Sequence, residues 1–180
     1  DPAAVVVALR AGADAVGAVA SWVESFDIDA TVLWCSAPRL ESHLTEQGLA
    51  GEGGKGRDVW LALGLAAESD FVVVHDADAK TYSARHVSRL LYPLAESYDF
   101  VKGYYARVEN DRLYGRLFRL FYRPLVRALI DQHDDDILQY LGSFRYALAG
   151  EFAATSDVIR RLRPTRGWGL EVATLGDAFD

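Results

Sequence analysis

Apolar residues in the first half of the chain form short, nearly continuous runs that are separated by segments of helical spacing. The runs cover residues 5–9, 31–35 and 71–74, and such runs are typical of strands buried on both faces. Helices are predicted over 15–26, with Asp14 as N-cap, over 38–47, which opens with Pro38, and over 57–67. This alternation predicts an α/β fold with a mostly parallel, Rossmann-like sheet flanked by helices.

The second half of the chain has a mixed pattern. Helices are predicted over 81–98 and 111–130, and Pro124 is expected to kink the second. Residues 100–108 alternate like a strand, 144–162 predict a strand, a turn and a helix, and 167–179 predict a loop that enters a helix. We therefore expect one domain over 1–180, in which an α+β half follows the α/β half.

Composition and charge exclude several classes of protein. The chain has 180 residues, and its 51% hydrophobic content excludes a disordered segment. A net charge of -7 argues against a general nucleic-acid-binding protein. The single cysteine, Cys35, excludes an intrachain disulfide. The sequence has no signal peptide, and no apolar run reaches the length of about 20 residues that spans a bilayer. We therefore expect a cytoplasmic protein. The absence of methionine predicts a trimmed form of a longer protein.

Two carboxylates directly follow the third predicted strand. Asp76 and Asp78 are two residues apart, so their side chains converge if the strand geometry persists. Converging like charges repel unless a cation or hydrogen-bond donors lie between them. Ligands of open α/β sheets bind at this end of the strands, and two hard oxygen ligands suit Mg²⁺ or Mn²⁺, with diphosphate oxygens completing the shell. The pair predicts a metal site, against the alternative of a turn or helix cap; His75 is interpreted as a core or supporting residue.

The glycine-rich segment GEGGKGR, residues 51–57, has two interpretations. It is not a Walker A loop, because Lys55 is followed by Gly56 rather than by serine or threonine. A glycine-rich loop that enters a helix can present backbone N–H groups and a lysine to phosphate. The alternative is a mobile surface loop, and the segment alone favours neither.

The predicted helix 111–130 and two glutamates complete the candidate chemistry. Most of the arginines on this helix are interpreted as a solvated face, with a helix lying on a membrane surface as a weaker alternative. Arg112, at the predicted helix entry, is the candidate for an anionic acceptor. Glu151 and Glu171 lie among small apolar residues, where carboxylates are rare unless they are paired or functional. The alternative for each glutamate is a helix cap.

Five segments occur in an order that resembles a known enzyme group: GGKGRDVWLAL, DFVVVHDAD, DFVKGYY, LAGEFAAT and GWGLEVATLGDAFD. They resemble the glucosyl-3-phosphoglycerate and mannosylglycerate synthases, glycosyltransferases of the GT-A fold. The resemblance implies that residues 1–100 form the nucleotide-sugar half and 101–180 the acceptor half. A histidine that binds the metal in these enzymes lies beyond position 180, so the domain is expected to be incomplete at its C-terminus. A homodimer is expected by the same analogy.

The resemblance also implies roles on the donor side. Asp78 matches the carboxylate that binds the metal directly, and Asp76 matches its partner beside the metal and the sugar nucleotide. Lys55 and Gly54 match the donor-binding segment. The usual nucleotide-binding loop after the first strand is replaced by ALRAGAD, and Asp14 takes the place of its acidic group.

On the acceptor side, Arg112 matches an arginine that binds the acceptor phosphate. Tyr114 occupies the place of the threonine that accompanies this arginine. Gly150 and Glu151 match a segment that lines the acceptor side, and Glu171 matches the glutamate of a closing loop. The resemblance implies retention of anomeric configuration, whereas an inverting enzyme would use Glu171 as its base.

These expectations combine into one function with two alternatives. We expect a metal-dependent hexosyltransferase that moves sugar from a UDP- or GDP-linked donor to a small, anionic acceptor such as phosphoglycerate or glycerate, with Mg²⁺ or Mn²⁺ as cofactor. The first alternative is a metal-dependent phosphohydrolase, because DADAKT resembles the D-x-D-x-T of the haloacid dehalogenase superfamily with Thr81 one position late. The second is a degenerate, non-catalytic transferase homologue.

Overall fold

The structure, a computed structural model, describes residues 3–106, 108–167 and 169–180. The chain forms two compact units. Unit 1 comprises Asp1–Glu68 and Pro164–Leu170, and unit 2 comprises Ser69–Arg163 and Glu171–Asp180. These units divide the chain at other positions than the expected functional halves, 1–100 and 101–180.

Unit 1 is an α/β arrangement built on two parallel strands. Strands β1 (Val5–Leu9) and β2 (Ala30–Trp34) pair in parallel from Val5↔Ala30 to Leu9↔Trp34. Helices α1 (Ala13–Glu24), α2 (Pro38–Glu46) and α3 (Lys55–Ala66) complete the unit. Pro38 lies in the first turn of α2, where its missing N–H has no helical partner to lose. The predicted strands and helices of this half are therefore present, with ends shifted by at most two residues.

The N-terminus of α1 differs from the prediction. Its N-cap is Gly12, which has extended backbone angles and no side chain to cap the helix, and Asp14 lies inside the first turn. A carboxylate in the first turn still interacts favourably with the positive end of the helix dipole. The prediction of Asp14 as N-cap was therefore wrong by two positions.

Unit 2 is built on three strands in the order β3-β7-β4, which are β3 (Phe71–Val74), β4 (Phe100–Lys102) and β7 (Phe152–Thr155). The central strand β7 is antiparallel to both neighbours. Its residues Phe152, Ala153 and Ala154 are at most 2% exposed, and the small side chains of Ala153 and Ala154 let helices pack closely over the strand. Parallel pairing therefore dominates unit 1, and β7 adds antiparallel pairing in unit 2.

The remaining elements are a hairpin, a π-helical segment and five helices, α4 (Arg85–Ala95), α5 (Arg123–Ile130), α6 (Asp136–Ser143), α7 (Ser156–Arg161) and α8 (Leu170–Phe179). Sequence analysis did not assign α6, although its N-cap Asp135 accepts a hydrogen bond from the backbone N–H of Ile137 at 3.2 Å. A core cluster of Phe118, Tyr122 and Val126 packs with Ala147 and Leu175. Within the described residues, no helix is both long enough and apolar enough to cross a bilayer.

The predicted long helix over 111–130 begins only at residue 116, and its first part forms a hairpin strand instead. Strands β5 (Val108–Glu109) and β6 (Arg112–Leu113) form an antiparallel hairpin, followed by the π-helical segment Phe118–Tyr122 and then by α5. The hairpin turns at Asn110 and Asp111, whose φ angles of 50° and 56° lie in the left-handed region that these residue types tolerate. Pro124 lies in the first turn of α5, which continues directly from the π-helical segment.

Candidate active site

The edge of the unit 2 sheet gathers most of the predicted chemistry. Strands β3 and β4 are both antiparallel to β7, and Val74 and Lys102 both pair with Phe152. The carboxyl ends of β3 and β4 therefore meet the amino end of β7 at one edge. Residues 75–78, Gly103 and Glu151 follow or precede these strand ends directly.

Asp76 and Asp78 leave β3 at this edge. The strand ends at Val74, and Ala77 and Asp78 form a turn, so strand alternation does not persist through the pair as the expectation of convergence required. Asp76 is half-buried and Asp78 is exposed. The two carboxylates offer hard oxygen ligands that suit Mg²⁺ or Mn²⁺. Among the described residues, no group of three or more histidine, cysteine or acidic side chains is arranged to hold a metal ion, so a cation here would need further ligands from elsewhere, such as a diphosphate.

Half-buried His75 and buried Glu151 lie close together beside the carboxylate turn. Glu151 is 6% exposed, and its Oε1 lies 3.9 Å from Nδ1 of His75. Burial lowers the pKa of His75, with His86 acting in the same direction and Asp76 opposing. The imidazole is therefore neutral near pH 7, and the pair is a neutral ring beside a carboxylate rather than an ion pair. Neither ring nitrogen of His75 has a hydrogen-bond partner within the described structure.

Tyr82 and Gly103 enclose this pair, and sequence analysis identified neither. The Tyr82 ring meets His75 edge-on at 5.2 Å between centroids and stacks on His86 at 4.9 Å. The backbone N–H of Gly103 donates to the carbonyl of Glu151 at 2.8 Å. A Cβ at Gly103 would lie 3.0 Å from Cβ of Glu151, so only glycine fits without displacing the glutamate. The sequence signal for Gly103 was a glycine inside the predicted strand over 100–108, which suggests a close approach of backbone.

The predicted acceptor residues occupy different surroundings. Gly150 is buried directly before Glu151. Arg112 is exposed and lies in β6 of the hairpin rather than at a helix entry, which corrects the prediction of its position. Tyr114 follows it with 40% of its surface exposed. Glu171 is half-buried in the first turn of α8.

In unit 1, Lys55 is the first residue of α3 and is exposed, while Gly54 is its N-cap with extended backbone. A Cβ at Gly54 would overlap the carbonyl oxygen of Arg166, and a Cβ at Gly56 would overlap that of Thr165. The glycines are thus needed because the chain at 165–166 packs directly on the start of α3. This close packing disfavours the interpretation as a mobile surface loop. Asp14 is exposed.

Two ion pairs at the carboxyl ends of β1 and β2 were not predicted. Arg10, directly after β1, donates from Nε (3.0 Å) and Nη2 (2.5 Å) to Oδ2 of Asp58. Arg57, only 6% exposed, donates to both carboxylate oxygens of Glu41, at 3.0 Å and 2.7 Å. Burial raises the pKa of Cys35 at the end of β2 to about 11, and Asp58 adds to this effect. The available signal was the adjacent Arg57 and Asp58 at the start of a largely apolar helix.

Comparison with known proteins identifies the relatives of this chain. No family model matches it. It is 41% identical over 172 residues to a glucosyl-3-phosphoglycerate synthase of Methanococcoides burtonii, covering 89% of this chain and 43% of the relative. It is 41% identical over 168 residues to the synthase of Persephonella marina, covering 87% of this chain and 41% of the relative. The chain is a relative of the glucosyl-3-phosphoglycerate synthases.

Solved structures give the same result at the level of the fold. The Mycobacterium tuberculosis glucosyl-3-phosphoglycerate synthase in complex with Mn²⁺, UDP-glucose and phosphoglyceric acid has a TM-score of 0.62 and 27% identity to this chain. The match covers 98% of this chain and 64% of the mycobacterial one. The predicted resemblance to this synthase group and the predicted GT-A fold are confirmed. The chain spans less than half the length of the two curated relatives described above.

Proposed function

We propose that this protein is a metal-dependent glycosyltransferase that moves glucose or another hexose from a UDP- or GDP-linked donor to a small anionic acceptor, with phosphoglycerate as the first candidate and glycerate as the second. The observation that carries the proposal is the carboxylate turn of Asp76 and Asp78 beside buried Glu151, in a chain 41% identical to glucosyl-3-phosphoglycerate synthases. The mycobacterial relative was crystallised with UDP-glucose and phosphoglyceric acid, which supports UDP-glucose as the donor to test first.

On the donor side, Asp78 and Asp76 hold Mg²⁺ or Mn²⁺. The cation, when bound, offsets the negative charge that develops on the departing diphosphate. Lys55, exposed at the N-terminus of α3, contributes a further positive charge, and Gly54 is the N-cap of this helix, whose N-terminus favours an anion. Asp14, in the first turn of α1, contacts the nucleoside.

On the acceptor side, the exposed guanidinium of Arg112 binds the carboxylate or phosphate of the acceptor, and Tyr114 supplies a hydroxyl where related enzymes use threonine. Gly150 leaves room for the acceptor, since it is buried directly before Glu151. Glu151 orients the attacking hydroxyl by accepting its hydrogen bond. Glu171 contacts the transferred sugar or the acceptor, and it becomes the general base if the reaction inverts the anomeric carbon.

The test combines nucleotide binding with turnover. Calorimetry with UDP, GDP and their glucose conjugates, with and without Mn²⁺, is run on wild type, on Asp78→Asn and on the control Asp70→Asn, which changes an exposed aspartate before the opposite end of β3. We expect Mn²⁺-dependent binding of one nucleotide and about a 10²–10³-fold lower transfer rate for Asp78→Asn, with Asp70→Asn like wild type. Binding without turnover of any acceptor would favour the degenerate homologue, and metal-dependent phosphate release from simple phosphomonoesters would favour the phosphohydrolase.

We also propose a homodimer in the cytoplasm. The dimer rests on the analogy with the synthase group, and the location on the absence of a bilayer-spanning helix among the described residues together with the metabolic nature of the substrates. Sedimentation velocity at several concentrations tests the first, and fractionation of the source cells tests the second. A monomer at all concentrations would exclude the dimer.

A further inference from the structure

Arg10 and Arg57 lie close together in unit 1 but are held in different ways. Both guanidinium groups approach Gly53, since a Cβ there would lie 3.2 Å from Nη2 of Arg57 and 3.9 Å from Cζ of Arg10. Two cations near one glycine need compensating charge, which Asp58 and Glu41 provide. The local charges therefore cancel, and the question is which guanidinium still has donors to offer to a ligand.

Arg57 has none to offer. Its side chain is 6% exposed, Nη1 donates to Glu41 and to the carbonyl of Gly51, and Nη2 donates to Glu41 and to the carbonyl of Cys35. Its remaining nitrogen, Nε, is buried without a hydrogen-bond partner in the described structure. Arg57 therefore joins α3 to α2 and to the end of β2, which is a structural role.

Arg10 is different in both respects. Its side chain is 43% exposed, and its two hydrogen bonds use only Nε and Nη2, both to Oδ2 of Asp58. Within the described residues, Nη1 makes no hydrogen bond. The Asp58 side chain is 12% exposed. Asp58 belongs to the first turn of α3, where its backbone N–H donates to the carbonyl of Gly54. The arginine is thus fixed at one side and exposed at the other.

The position of Arg10 is where a ligand of this fold binds. It is the first residue after β1, and ligands of open α/β sheets bind beyond the carboxyl ends of the strands. The next residue is also fixed, because the indole N–H of Trp34 and the hydroxyl of Ser36 both donate to the carbonyl of Ala11, at 2.9 and 3.0 Å. A guanidinium whose orientation is already set loses less entropy when it binds an acceptor oxygen.

We propose that Arg10 is a donor-binding residue, whose free guanidinium edge donates to an acceptor oxygen of the nucleoside diphosphate, and that Asp58 is its positioning residue. This inference rests on the proposed function. In the loop after β1, which reads ALRAGAD, the guanidinium of Arg10 would then bind the donor. The acceptor oxygens belong either to the nucleobase or to the phosphates, and binding of uridine, UMP and UDP distinguishes these two sources.

The obvious variant needs a second one beside it. Arg10→Met leaves the mostly buried carboxylate of Asp58 without its partner, which destabilises unit 1 by itself. The double variant Arg10→Met/Asp58→Asn removes both charges, so stability recovers while the guanidinium stays absent. Arg10→Lys keeps the charge and the pair with Asp58 but not the second edge of the guanidinium. Arg89→Met, an exposed arginine on α4, is the matched control.

Calorimetry gives the dissociation constants of uridine, UMP and UDP, and thermal unfolding gives the stability of each variant. We expect UDP to bind about 10- to 100-fold more weakly to Arg10→Met and to the double variant, with unfolding temperature recovered in the double variant and with Arg10→Lys intermediate. A loss that is already present with uridine assigns the contact to the base, and a loss that appears only with UMP or UDP assigns it to phosphate.

Two other outcomes overturn the proposal in distinguishable ways. If wild type binds UDP and the folded double variant binds it equally well, Arg10 has a structural role only, while the proposed function stands. If wild type binds neither UDP nor GDP in the presence of Mn²⁺, the proposed function fails and this inference fails with it. Arg89→Met should match wild type, and a loss in this control would show a general charge effect instead of a contact made by Arg10.

Discussion

The ion pair between Glu41 and Arg57 allows a quantitative prediction about unit 1. Removing the Glu41 carboxylate leaves a guanidinium that is 6% exposed and that has, among the described residues, only the carbonyls of Cys35 and Gly51 as acceptors. Breaking a buried pair in this way costs about 3–5 kcal/mol. Because the Glu41 side chain is 40% exposed, screening reduces the figure, and we expect about 2.5 kcal/mol for Glu41→Ala. Glu41→Gln keeps one acceptor oxygen, so about 1.5 kcal/mol is expected.

Urea unfolding followed by tryptophan fluorescence measures this effect, because Trp34 lies in unit 1 directly before Cys35, whose carbonyl accepts from Arg57. The control is Glu46→Gln, an exposed glutamate of the same helix, which should change stability by less than about 0.5 kcal/mol. The double variant Glu41→Gln/Arg57→Met should be less destabilised than the sum of its single changes, since neither charge is then left alone. If Glu41→Gln unfolds at the same urea concentration as Glu46→Gln, the guanidinium is solvated and the reasoning from burial is wrong.

Three further predictions follow from the packing and the pKa values. Gly56→Ala should destabilise unit 1 by about 1–3 kcal/mol in urea unfolding, because the new Cβ overlaps the carbonyl of Thr165. Gly64→Ala in the same helix meets open space and should stabilise by about 0.5–1 kcal/mol. Equal effects of the two substitutions would contradict the close approach at Gly56. Burial raises the pKa of Cys35 from 9.0 to about 11. The free energy of unfolding should therefore fall as pH rises through this interval, because only the unfolded thiol ionises there. Iodoacetamide should label the thiol in urea but not in the native protein. Rapid native labelling would show that Cys35 is accessible. Burial lowers the pKa of His75 below its ordinary value of 6.5. As pH falls below 6.5, the unfolded chain takes up the proton first, so the stability of the folded protein should decrease. Thermal unfolding of His75→Leu should show a weaker decrease, and an unchanged pH profile would exclude this histidine as the cause.

Much of unit 1 could be predicted from the sequence, because its elements are determined by local patterns. Continuous apolar runs predicted β1 and β2, and Pro38 marked the start of α2. The glycine-rich segment was recognised, but its physical requirement was not, since Gly56 contacts a backbone segment more than one hundred residues later. Such a contact leaves no trace in local periodicity.

The hairpin in unit 2 shows how a local signal can be outweighed. Residues 111–130 have apolar and basic residues at helical spacing, yet the first part forms β6 and a turn. Asn110 and Asp111 were the opposing signal, because both residue types tolerate the left-handed angles that a two-residue hairpin turn needs. Arg112 therefore lies on a strand of the hairpin, so its proposed contact with the acceptor would be made by a hairpin residue and not by a residue at a helix N-terminus.

Local sequence was enough to predict that two carboxylates follow β3, that a glycine-rich segment opens α3, and that the chain resembles a family of sugar transferases. These features depend on residue type and near neighbours, which a linear pattern records. The folded arrangement alone shows that β7 inserts antiparallel between β3 and β4 and so brings Glu151 beside His75. It also decided that Asp58 holds Arg10, because both arrangements join residues far apart in the chain, where pairing is chosen by burial and charge compensation rather than by local sequence.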